Sequence, residues 1–91
     1  MHEMSIAMEI CRIASDRVAA AAVPGDPPLQ LVELGVEVGD DAGVEPENLQ
    51  FCLEALFADG PFAGAKPVVQ RFAGDVLRLS YLEVDDGRPN D

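Results

Sequence analysis

Apolar residues recur with a helical period from Met4 to Ala22. Ala7, Ile10, Cys11, Ala14, Val18 and Ala21 share one face, while Ser5, Glu9, Arg12 and Asp16 follow at spacings of four, three and four on the other. Pro24-Gly25-Asp26-Pro27-Pro28 ends this helix, because proline cannot continue it. The period then drops to two. From Leu29 to Gly39, Val32, Leu34, Val36 and Val38 alternate with Glu33, Gly35 and Glu37, which predicts a strand with one buried face. After a turn-rich loop at Gly39-Asp40-Asp41-Ala42-Gly43, Glu45-Pro46-Glu47 starts a second helix: proline suits the first turn, and acids there meet the positive end of the helix dipole. This helix runs to about Ala58, with Leu49, Cys52, Leu53 and Leu56 inward and Glu47, Gln50 and Glu54 outward. Lys66 to Phe72 reads as a second strand, with Pro67 confining its start to an edge or to the first position. Val76 to Val84 reads as a third. There Leu77, Leu79 and Tyr81 take one face and Leu82 and Val84 the other, a phase change that hints at a bulge or at burial on both faces. Ala73-Gly74-Asp75 has the length of a tight hairpin between these two strands. The order α-β-α-β-β predicts an α+β domain over residues 1–84, with two helices packed on one face of a three-stranded sheet and a polar tail over 85–91.

Composition narrows what such a domain can do. With 91 residues the chain makes one domain with a small core, burying only about three-fifths of its unfolded surface. Apolar residues at 48% and charged residues at 25% are globular proportions. The net charge of −11 repels phosphate backbones, which argues against nucleic acid and for cations or basic partner surfaces. No apolar run is long enough to span a membrane, and Glu3, Glu9 and Arg12 interrupt any signal-peptide core, so a cytoplasmic location is expected. Cys11 and Cys52 form no CxxC pair, which excludes a zinc ribbon, and each lies in a helical apolar pattern as a small buried hydrophobe. A disulfide between them requires the two helices to bring them together. A single histidine, no nucleophile paired with a base and no glycine-rich phosphate loop predict that the chain is not an enzyme.

The candidate chemistry is at the start. His2 is the only histidine, and it stands beside the α-amine of Met1. That amine and the His2 amide can close a five-membered chelate ring. The His2 amide and its own imidazole can close a six-membered one, and the Glu3 amide offers a fourth nitrogen. A planar nitrogen set suits Ni(II) or Cu(II) rather than Mg(II) or Ca(II). The bulk of His2 favours retention of Met1.

Four segments carry a resemblance to a known family. Met1-His2-Glu3-Met4-Ser5 opens the chain, Val36-Glu37-Val38-Gly39 precedes Gly43-Val44-Glu45-Pro46-Glu47, and Leu79-Ser80-Tyr81-Leu82-Glu83 lies near the end. Together, and in this order, they resemble the HypA/HybF family of nickel metallochaperones for hydrogenase and, in some organisms, urease maturation. The resemblance implies a Ni(II) site made by Met1, His2 and Glu3, with Glu45 tuning it or adding an axial oxygen. It also implies a maturation GTPase or a hydrogenase large subunit as partner, with a homodimer as a further option. Family members carry a zinc domain with two CxxC pairs between the last two strands, where this chain has only Ala73-Gly74-Asp75. No zinc is therefore expected. The alternative to nickel delivery is a metal-free interaction module that keeps the fold and a partner surface.

Overall fold

The computed structural model describes residues 2–88; Met1 and residues 89–91 lie outside the described residues. Strand β1 (Gln30–Gly39) is central. It pairs in parallel with β2 (Lys66–Phe72) on one side and antiparallel with β3 (Leu77–Asp85) on the other, giving the order β2-β1-β3. The helices α1 (Glu3–Ala21) and α2 (Pro46–Ala58) pack together on one face, with α2 against β2 and α1 toward β3. This is the predicted two-layer α+β arrangement. Ala7, Ile10 and Ala14 of α1, Leu49, Cys52, Leu53 and Phe57 of α2, and Leu31, Leu34, Val36 and Val38 of β1 form the core. Phe57 also meets the ring of Phe62 edge-on, with centroids 5.5 Å apart. Ala21 is exposed, because the helix ends there before the proline loop.

Three details differ from the expected pattern. First, Ala73-Gly74-Asp75 is not a hairpin, since β2 and β3 lie on opposite sides of β1. The link instead crosses the end of β1 and is fastened there: Gly39 donates to Val76 at 2.6 Å, Asp40 to Phe72 at 2.9 Å and Asp41 to Gly74 at 2.8 Å, all main chain to main chain. Second, Val32 is exposed while Leu31 is buried. Val32 is an extra residue in the β1–β3 register, which passes from Leu31 opposite Val84 to Glu33 opposite Glu83, and this bulge shifts the alternation by one. Third, Gln50 does not face water. Its side chain accepts from Val69 N–H at 2.9 Å and donates to the Pro67 carbonyl at 2.7 Å, so it covers the outer edge of β2.

The bulge foreseen in β3 is present. Gly35 pairs with Tyr81 and Val36 with Leu79, which leaves Ser80 as the extra residue. The phase change puts Leu77, Leu79 and Leu82 opposite the core residues Val38, Val36 and Leu34, while Tyr81 turns to the open face. There its ring lies over Gly35 and its hydroxyl donates to Glu33 at 2.6 Å. A Cβ on Gly35 would collide with that ring. Gly35→Ala should therefore destabilise the fold by about 1–3 kcal/mol. Urea unfolding checks this: the double variant Gly35→Ala/Tyr81→Ser should recover most of the loss, and an unchanged midpoint in the single variant would contradict the contact.

Candidate metal site

The starts of the two helices lie side by side, and one residue joins them. The Glu3 carboxylate accepts from the Glu45 main-chain N–H at 3.3 Å and from the Asn48 side-chain amide at 3.2 Å. Glu45 is the N-cap of α2, and its carboxylate accepts from Glu47 N–H at 2.8 Å, with Pro46 filling the first helical position. Glu3 thus satisfies from outside a helix-start donor that Glu45 does not reach. The Glu45 N–H bond, aided by Asn48, holds the Glu3 carboxyl below its usual value of 4.5 against some desolvation.

The start of α1 is built differently. His2 is its N-cap, is exposed, and makes no side-chain cap bond. The first intrahelical bond runs from Ile6 N–H to the His2 carbonyl at 3.3 Å, so the amides of Glu3, Met4 and Ser5 have no acceptor within the helix. Among the described residues the His2 imidazole has no hydrogen-bond partner, while the Glu3 main-chain N–H helps to hold its own carboxylate. The backbone at His2 is extended, with φ −86° and ψ 114°. For one metal ion to bind the His2 and Glu3 amide nitrogens in a planar five-membered ring, that ψ must turn to roughly 0°. The first turn of α1 has to yield for the full nitrogen set to close.

The two cysteines offer no alternative site. Cys11 is half-buried and Cys52 buried, both are free thiols, and burial pushes the Cys11 thiol up, away from the metal-binding thiolate. Among the described residues no three His, Cys, Asp or Glu side chains converge on a common point.

The expected residues therefore divide. His2 and Glu3 are adjacent on one exposed turn, Glu45 is bonded to Glu3 through its main chain, and its carboxylate is committed to capping. The α-amine expected from Met1 lies outside the described residues. Sequence reasoning missed Asn48, the second partner of Glu3. Its position three residues after Glu45, one turn into α2, was the available signal.

A family model described as hydrogenase/urease nickel incorporation, metallochaperone, hypA matches residues 1–77. The chain belongs to the HypA family. HypA relatives include the hydrogenase maturation factor HypA of Geobacter metallireducens, 32% identical over 81% of this chain and 60% of that protein. Those of Chlorobaculum parvum and Chlorobium luteolum are 36% and 42% identical, over 77% and 76% of this chain and 58% and 54% of theirs. The chain thus spans little more than half the length of these HypA proteins. No solved structure is a significant match.

The anchored Glu3 has a pH signature. Its lowered folded-state pKa means that its stabilisation is complete above the unfolded value near 4.5 and is lost as pH falls through the lower folded value. Urea midpoints of Glu3→Gln and the parent chain should differ at pH 7 and converge toward pH 3. A gap that stays constant would contradict the charge-dependent clamp.

Proposed function

We propose that this domain is a nickel carrier for metalloenzyme maturation, holding Ni(II) at Met1-His2-Glu3 and releasing it by ligand exchange. The observation that carries the reading is the first turn of α1, which has no side-chain cap and starts at an exposed His2, in a chain of the HypA family. The ion is cargo. The α-amine of Met1, the His2 amide and imidazole, and the Glu3 amide supply a planar nitrogen set suited to Ni(II). Two deprotonated amides offset the charge of the divalent ion, and as anions they sit at the positive end of the α1 dipole.

Delivery follows from the same features. The donors lie at an exposed end, so an acceptor's ligands can replace them one at a time. Closing the set turns the His2 ψ away from 114° and costs the 3.3 Å Ile6–His2 bond, so refolding of that turn favours release. Glu3 keeps its carboxylate on Glu45 and Asn48 while its main-chain nitrogen serves the metal, and Glu45 acts by holding Glu3 in place. Amide binding expels protons, so acid favours release. The receiving protein is a hydrogenase large subunit or the maturation GTPase that loads it, in the cytoplasm. Zinc has no part here, since the chain's two cysteines, Cys11 and Cys52, are separated and lie in helices.

Isothermal titration of untagged protein with Ni(II) tests the reading. Loss of outer groups around a metal costs about 10–100-fold in affinity, so His2→Ala, which removes a ligand, should cost at least as much. Glu3→Ala keeps the main-chain nitrogens and should cost less than His2→Ala. Lowering the pH toward 5 should weaken binding. Equal affinity in the parent and His2→Ala would overturn the site, and would favour a metal-free interaction module.

A further inference from the structure

The far end of the helical layer, away from His2 and Glu3, holds an apolar cavity of about 280 Å³. Val18 from the last turn of α1, Leu31 of β1 and Phe62 after α2 line it, and Leu31 and Phe62 are themselves buried. The exposed Pro28 and Pro61 complete the lining, and Ser15 contributes one hydroxyl. The cavity is thus framed by the end of α1 and by the loops that follow both helices. The frame is stiff, because each proline fixes its own φ and Phe62 is held edge-on against Phe57.

The polar groups around this cavity select one sign of charge. A helix ends in carbonyls that lack helical donors, at the negative end of its dipole. At the end of α1 the Ala22 N–H is spent on the Ala19 carbonyl at 3.3 Å, and Pro28 and Pro61 have no N–H to offer. Cations favour such an end, yet neither helix has a basic residue in its last turn. Arg17, two residues from both Ser15 and Ala19, projects from another side of α1. The end of α2 goes further. Its C-cap is Asp59, two residues before Pro61, an acid where the dipole disfavours one. Among the described residues no cation pairs with Asp59, whereas Asp26, two residues before Pro28, is held by Arg88 at 2.8 Å.

We propose that this cavity binds a small organic cation, a primary alkylammonium whose hydrocarbon body fills it and whose N–H donors meet the open carbonyls of α1 near the charge of Asp59. The apolar lining takes up the hydrocarbon, and the helix-end acceptors take the ammonium protons. An anion of the same size would meet the negative ends of two helices and an acid. A neutral alcohol gains the burial without the charge. The net charge of −11 attracts cations to the whole surface, and the cavity adds the preference for one with an apolar body. The 19 residues of α1 separate this end from His2 and Glu3, so ammonium binding is independent of nickel.

Titration of the whole, untagged, isotope-labelled chain with phenethylammonium chloride at constant ionic strength tests this, read from amide shifts. The Ser15–Ala22 amides, with those of Leu31 and Phe62, should shift in one saturable step, while the amides of Glu3–Ala7 stay in place. Phenethyl alcohol and hydrocinnamate, of similar size, should bind at least about tenfold more weakly. Ala19→Lys changes an exposed lining residue and tethers a cation at the end of α1. With circular dichroism confirming its fold, it should weaken phenethylammonium at least about tenfold. Asp59→Asn should cost less, about two- to fivefold. Shifts that scatter over the acidic surface without saturating would overturn the proposal. So would an alcohol or carboxylate that binds as tightly as the ammonium, or an affinity that Ala19→Lys leaves unchanged.

Discussion

Strand β1 is the constraint on which the rest depends. Among the described residues it is the only strand hydrogen-bonded on both sides, and its helix-facing residues Leu34, Val36 and Val38 are wholly buried. A central strand with one covered face must keep strict alternation, because a slip of one residue would send its apolar set to water. The irregularities gather around that requirement. Val32 bulges so that Leu31 can also reach the core, and Ser80 bulges so that Leu79 and Leu82 both face it. Both edge strands are placed by β1 and do not contact each other in the sheet. The link from β2 to β3 therefore has to cross the end of β1, and three main-chain hydrogen bonds hold it there.

The same strand positions the candidate metal site. β1 leaves the sheet at Gly39, and the following loop delivers Glu45 to the start of α2. Parallel pairing of β1 with β2 commits α2 to the role of crossover helix, packed on the sheet beside α1. With the two helix starts at the same end, Glu3 reaches Glu45 and Asn48 across the gap. The contrast between the two starts has chemical content. One has its Glu47 N–H capped by Glu45 and its Glu45 N–H taken by Glu3; the other has no side-chain N-cap bond. An ordinary Ser, Thr, Asn or Asp N-cap at position 2 would have occupied a first-turn amide with its own side chain.

Much of this was legible in the sequence because it rests on periodicity. The helical stripe of α1, the alternation of β1 and the proline at the start of α2 each have a local cause, and each element appears within a residue or two of its expected place. The strand order was not legible. Ala73-Gly74-Asp75 is short enough for a hairpin, and only the parallel pairing of β2 shows that it crosses β1. Gln50 read as an outward polar residue, since nothing in its own helix reveals that an unpaired strand edge lies beside it. At the site, His2 and Glu3 stood out by residue type and position. The role of the Glu3 carboxylate did not, because its partners are 42 and 45 residues away in sequence. The exposed turn and the extended backbone at His2 add a condition that donor spacing alone does not contain: the turn must move to close around a metal.

A single histidine makes the central claim directly measurable, because its ring protons give a unique nuclear magnetic resonance signal. In untagged protein loaded with one equivalent of Ni(II), a planar four-nitrogen site is diamagnetic. The account predicts sharp spectra in which the His2 ring signals shift, the first turn of α1 and the Glu45–Asn48 amides follow, and the sheet is undisturbed. Unshifted His2 signals, or paramagnetic broadening centred on the Asp40-Asp41 loop or another acidic surface, would contradict it.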